Sequence, residues 1–268
     1  MSTAGTIVVG VDPTTSAGLA AGWATRLSDT VRLVHVAMDR RVPEWLLGLG
    51  AATGAEPEVV AGDADPDAVA DVLRARAHDA AMLVVGGHGR SVHPGLQAGD
   101  LAARLAADPP CPVAVVHGAE AESALPAAGP VVVGIDGGLP GRAALDTAAD
   151  LASALGADLV VVHAWTDVAP GAHRRAEAPQ TLAERGREVT EAARRRVAER
   201  VPGLRVETAP VEDTPLRALL QRAEKAQAVV VAPRVGAPPP DAAVQAGSTT
   251  RSLVAFAPCP VVVVPLPG

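Results

Sequence analysis

The chain has 268 residues, 49% of them hydrophobic and 20% charged, yet it contains one Phe, three Trp and no Tyr. Against 23 Lys and Arg stand 30 Asp and Glu, a formal net charge of -7, which excludes a general nucleic-acid surface; the scarcity of aromatic rings excludes base-stacking platforms. Two Cys are too few for a disulfide framework or an all-cysteine zinc site and read as reduced thiols of a cytoplasmic protein.

The amino terminus runs directly into the apolar Ile7-Val-Val-Gly-Val-Asp12, without the basic and long apolar regions of a signal peptide. No stretch approaches the ~20 apolar residues of a membrane span. An Ala-rich helix is expected from about Thr15 to Leu27, then a strand from Val31 to Ala37 that contains His35, then a third strand near Glu58 to Ala61. Asp65-Pro66 opens the next helix, because Asp caps free amides and Pro suits a first turn. A buried strand from Ala81 to Gly86, a Gly-rich loop, a last helix and the fifth strand Pro110-Cys-Pro-Val-Ala-Val-Val116 follow.

The same order then returns. Val131-Val-Val-Gly-Ile-Asp136 matches the first strand, and a helix is expected from about Arg142 to Leu155. A strand from Asp158 to Trp165 contains His163, Arg205 to Val211 forms the third strand, Thr214-Pro215 opens a helix and Ala228 to Ala232 forms the fourth strand. Pro258-Cys-Pro-Val-Val-Val-Val264 closes the copy. Short apolar strands alternating with helices predict parallel sheets covered on both faces. The small, acidic, aperiodic stretch from Gly118 to Gly129 divides the chain into residues 1–122, a linker at 123–129 and residues 130–268. The copies are unequal: a long charged helix is expected from about Thr181 to Arg200, where the first copy has only Met38 to Pro57. The run Arg194-Arg-Arg196 beside Glu188, Glu191 and Glu199 reads as a solvated face with i,i+4 ion pairs in preference to an anion site.

Ligands of open doubly wound sheets bind at the carboxyl ends of the strands, where strand order reverses. Asp12 and Asp136 stand at those ends, where each could also simply turn the chain into the first helix. The loop Gly86-Gly-His-Gly89-Arg90, continuing through Gly99 to Asp100 at the start of a helix, offers backbone amides to an anion. His88 and His93 match no metal-ligand spacing and read as loop residues. His35 and His163 read as hydrogen-bonded structural histidines, and Cys111 and Cys259 as small buried hydrophobes.

These features together resemble the universal stress protein family in its tandem form. The likeness rests on both strand-one Asp residues, the pairs Val34-His35 and Val162-His163, the glycine loop and both Cys-Pro-Val fifth strands. It implies two tandem Rossmann-like α/β domains of the adenine nucleotide alpha-hydrolase-like type. Each would be a five-stranded parallel sheet of order 3-2-1-4-5 with helices on both faces, the fifth strands pairing across a pseudo-two-fold axis. It also implies a stress-response regulatory module, not an enzyme, that binds ATP or another adenine nucleotide, with Mg2+ when bound. Whether the body pairs further as a homodimer stays open.

Carried over by residue, the adenine and ribose side would be Asp12 or Asp136. The phosphate side would be Gly86, Gly89, Gly99 and Asp100 in one repeat, and Gly247, Ser248 and Thr249 in the other. Asp100 departs from the family's Ser or Thr: a carboxylate ~4 Å from a phosphate repels it by roughly 4 kcal/mol at an effective dielectric near 20, unless a divalent cation bridges them. The second repeat keeps Gly247-Ser248 but replaces Gly-x2-Gly with Ala232-Pro-Arg-Val235, and proline donates no amide. A nucleotide-free, partner-binding module is the alternative. An ATP-processing enzyme is a third, with Gly134-Ile-Asp-Gly-Gly-Leu139 only faintly like a pyrophosphate loop and no Walker Gly-Lys-(Ser/Thr) present.

Overall fold

The computed structural model describes residues 5–87, 100–117, 125–166, 179–233 and 247–266. The first repeat comprises β1 (Ile7–Gly10), α1 (Thr15–Thr25), β2 (Val31–Ala37), α2 (Glu44–Thr53), β3 (Glu56–Ala61), α3 (Pro66–Ala77), β4 (Met82–Gly86), α4 (Asp100–Ala107) and β5 (Val113–Val116). The second comprises β6 (Val131–Gly134), α5 (Leu139–Leu155), β7 (Leu159–Trp165), α6 (Pro179–Arg200), β8 (Val206–Glu212), α7 (Pro215–Ala223), β9 (Ala228–Val231), α8 (Ser248–Phe256) and β10 (Val261–Val263). Their strands form one ten-stranded sheet of order β3-β2-β1-β4-β5-β10-β9-β6-β7-β8. Each half has the expected order, and every pairing within a half is parallel.

The fifth strands pair antiparallel, Val113 with Val263, Ala114 with Val262 and Val115 with Val261. The strand ends that carry the two candidate sites therefore point in opposite directions at the seam. Alternating strand residues feed two cores. One lies under α1, α2, α5 and α6 and contains Val9, Ala114, Val133 and Val262; the other lies under α3, α4, α7 and α8 and contains Val8, Val113, Val132 and Val261. Each core draws residues from both repeats, so apolar burial continues across the seam.

Helix starts follow the local chemistry. Asp65 Oδ2 accepts from the amides of Asp67 (3.0 Å) and Ala68 (3.3 Å), and Thr214 Oγ1 accepts from Arg217 N at 3.4 Å, in each case with Pro in the first turn. α5 starts three residues before the expected Arg142, because Pro140 fits the first turn and Gly138 serves as the cap. The short connection from Met38 to Pro57 accommodates a ten-residue helix, α2, ended by Gly54 at φ 74°. At the outer edges, β3 carries Pro57 and Glu58 and β8 carries Pro210 and Glu207, residues that discourage edge-to-edge pairing. Among the described residues no helix is long and apolar enough to cross a membrane.

Candidate functional site

In the first repeat, β1 and β4 are neighbours, with Gly10 opposite Val85, so the chain beyond β1 leaves the sheet beside Gly86. Asp12 is half-buried there. Its Oδ1 accepts from Thr14 N at 3.2 Å and from the Thr14 hydroxyl. Thr14 caps α1 by accepting from Ala17 N at 3.4 Å, and its Oγ1 lies 3.2 Å from Ser16 Oγ. Ser16 in turn abuts Gly86: a Cβ built on Gly86 would stand 2.6 Å from Ser16 Oγ and 3.0 Å from its carbonyl carbon. Asp12 and Gly86, 74 positions apart, are thus linked through Thr14 and Ser16 at the start of α1. The same contacts give both residues a structural duty.

Gly87 is equally well explained by packing. Its Cβ would fall 2.2 Å from His117 Nδ1, and its amide donates to Val116 O at 2.8 Å. This changes the reading of the second repeat. Counted from the registers Ile7 with Met82 and Val131 with Ala228, Gly86 corresponds to Ala232 and Gly87 to Pro233. The amide that Pro233 lacks is therefore not a phosphate donor, because its counterpart in the first repeat is engaged by the neighbouring strand. What Pro233 removes is one bond between strand ends, and the expected loss of a cradle amide at this position is corrected. Gly89 and Gly99, with His88, His93 and the remainder of the proline-rich loop, lie outside the described residues.

Asp100 is the first residue of α4, just as Ser248 is the first residue of α8. In the second repeat the cap position belongs to Gly247. Gly247 has no side chain to bond the free amides of the first turn, and α8 has no acidic residue there. Ser248 is exposed and Thr249 half-buried, while Thr250 is buried. A first turn without an acidic residue or a side-chain cap bond is a helix start that attracts anions. Asp136 stands at the end of β6, where its Oδ1 accepts from Gly138 N at 2.9 Å. A Cβ on Gly141 would lie 3.0 Å from that oxygen, so glycine allows the carboxylate to rest on the start of α5.

The strand-two histidines are matched in geometry. His35 Nδ1 lies 2.9 Å from Val11 O and His163 Nδ1 3.0 Å from Ile135 O. A carbonyl only accepts, so each Nδ1 carries the hydrogen and pins the residue preceding a strand-one Asp. Each imidazole also has an indole nearby, Trp45 at 4.9 Å edge-on and Trp165 at 6.1 Å. These two aromatic neighbours of the strand ends were missed by composition. Trp165 could have been found from its place two residues after His163 on one strand face, whereas Trp45 comes from α2 and has no such signal.

The arginine run is more than a solvated face. Arg194 and Arg195 pair with Glu191 on their own helix, but Arg196 reaches α5, with Nε and Nη2 at 2.7 and 2.5 Å from the two Asp146 oxygens. Arg200 grips Asp150 in the same bidentate way, at 2.9 and 2.6 Å. Cys111 and Cys259 are buried free thiols, pushed by burial to about 11 and about 12, which leaves them protonated and unsuited to nucleophilic work. Among the described residues no group of three His, Cys, Asp or Glu side chains is arranged to hold a metal ion.

Comparison with known proteins places this geometry in context. The sequence profile of the universal stress protein family matches residues 47–117 and 128–265. A universal stress protein of Mycobacterium tuberculosis is 32% identical over 266 residues, covering 85% of this chain and 86% of that protein. The crystal structure of a universal stress protein from Archaeoglobus fulgidus superposes with a TM-score of 0.66 at 16% identity, covering 98% of both chains. A universal stress protein solved in complex with cAMP covers 53% of this chain and 99% of its own, at 23% identity and a TM-score of 0.41.

Proposed function

The chain belongs to the universal stress protein family, in its tandem form, and from that premise we propose that it is a regulatory module that binds an adenine nucleotide in its second repeat. We take the domains as residues 1–122 and 130–268, joined by 123–129. The observation that carries the reading is the start of α8: a glycine cap, no side-chain cap bond and no acidic residue in the first turn. There Gly247, Ser248 and Thr249 would receive phosphate through backbone amides and hydroxyls. Asp136, held by Gly138 N, would meet the ribose hydroxyls as a fixed acceptor. In the first repeat the corresponding helix opens on Asp100, so the same fold would present a negative charge to the phosphates. Binding would tie β6 to α8, and a partner reading that change in population would be the regulatory output.

One set of observations favours a second reading, a nucleotide-free partner-binding module: Asp12, Asp136, Gly86 and Gly87 all have internal contacts that account for them. Calorimetric titration with ATP, with and without Mg2+, separates the two. We expect one saturable site per chain, weakened at least about tenfold by Ser248→Asp, and a second site gained or strengthened in Asp100→Ser. Absence of saturable binding in both conditions favours the partner-binding module, and a constant indifferent to Ser248→Asp removes α8 from the site.

A further inference from the structure

The second repeat contains a cleft of about 410 Å³ between α5 and α6, opening beside the turn that follows β6. It lies within the volume range of small-molecule sites. Its origin is local. Farther along the two helices, Arg196 and Arg200 clasp Asp146 and Asp150, while toward the turn the facing residues are Gly141, Ala192 and Ala193, which leave a gap. Ile135, Leu145 and Val189 supply an apolar lining, and Gly137, at φ 85°, passes against the Val189 methyls.

Three charged side chains border the cleft: Arg142, Glu188 and Arg196. Arg196 is neutralised by its bidentate pair with Asp146. Arg142 and Glu188 form no ion pair among the described residues, so the opening presents one uncommitted cation and one uncommitted anion from facing helices. A simple carboxylate would be drawn to Arg142 and repelled by Glu188, and a simple amine the reverse. A ligand with both charges satisfies both walls, and an apolar body fills the lining. The first repeat offers no equivalent: counted from the same strand register, Arg142 corresponds to Gly18 and Leu145 to Ala21, and α2 has ten residues where α6 has 22.

We propose that this cleft is a second binding site, for a small apolar zwitterion of the size of an apolar dipeptide, its carboxylate on Arg142 and its ammonium on Glu188. The site is independent of the nucleotide reading, since none of its charged groups belongs to the strand-end site. Isothermal titration of the full chain with leucyl-leucine tests it. One saturable site is expected, with affinity reduced about tenfold or more by Arg142→Gln and by Glu188→Gln, the scale of a lost charge-assisted hydrogen bond. N-acetyl-leucyl-leucine, which lacks the ammonium, should bind wild type more weakly but lose nothing further in Glu188→Gln. Ala192→Phe should fill the cleft and abolish binding; all three substituted positions are exposed, and far-UV circular dichroism confirms that the variants fold. No saturable heat up to the solubility limit of the dipeptide, or binding unaffected by all three substitutions, overturns the proposal.

Discussion

Gly129 and Gly86 are both glycines without room for a side chain, but for different reasons. Gly129 sits at φ 115°, and a Cβ there would meet Lys225 O at 2.0 Å, so substitution combines backbone strain with a clash against another backbone. Gly86 has ordinary dihedrals and meets the first turn of α1, which can shift slightly. Gly86→Ala is therefore expected to cost about 1–3 kcal/mol, the range of overpacked sites, and Gly129→Ala more than that. Urea unfolding followed by circular dichroism orders the two. Equal midpoints for the two variants would mean that the chain before β6 relaxes freely. The contrast matters for function, because glycines that a motif search assigns to phosphate here answer first to packing, as with Gly87 against His117.

At the scale of elements, α5 and α6 run side by side and in the same direction, because each precedes a parallel strand of the same sheet. That makes Asp146 and Asp150 on one helix face Arg196 and Arg200 on the other at equal spacing. The pairs are partly exposed, so their contribution is small: a double-mutant cycle on Asp146→Asn and Arg196→Gln should give a coupling of about 0.2–1 kcal/mol, shrinking as salt is added. A coupling near zero at low salt would assign the contact between the helices to apolar packing alone. These partners lie 50 residues apart, which is why the arginine run was legible as ion-paired but not as a link between helices. The strands, the repeat and the helix starts at Asp65 and Thr214 were legible because each is written in adjacent residues. α2 was not, since Glu44-Trp-Leu-Leu-Gly-Leu-Gly50 carries two glycines of low helix propensity and gains its place by burying Leu46 and packing Trp45 against the core. Of the candidate site, Asp12, Asp136 and the start of α8 were readable from position along the repeat. The packing roles of Gly86 and Gly87 depend on α1 and β5, distant segments that no local pattern announces.

The whole molecule is one sheet with two cores, and neither core stops at the boundary between repeats. Ala114 and Val262 face each other at the seam with no exposure. A polar clamp adds to it: Arg26 at the end of α1 donates to Gln227 Oε1 at 2.6 Å, and Gln227 Nε2 donates to Gly129 O at 2.9 Å. By strand register the counterpart of Gln227 in the first repeat is Ala81, so the clamp exists once and the pairing of the halves is not symmetric. Two halves that share their apolar cores should unfold as one unit, because opening either exposes the other's strand. The molecule carries a reporter for each half: Cys111 precedes β5 and Cys259 precedes β10, both buried. In the folded chain burial pushes these thiols up to about 11 and about 12, so at pH 8.5 they are protonated and shielded, and on unfolding they return to the ordinary thiol range and react. The same shifts make stability fall as pH rises through 9 toward 11, since only the unfolded thiols ionise there. Pulsed alkylation at pH 8.5 across a urea series, read by mass spectrometry of the two cysteine peptides, should give one shared midpoint. Ala114→Asp, which places a carboxylate in the seam, should lower that midpoint for both thiols together, by an amount set by the cost of an unpaired buried charge. Two separated midpoints in the wild-type chain would show the repeats to be independent domains joined by contacts too weak to couple them, and a signal received at one strand end would then have no route to the other.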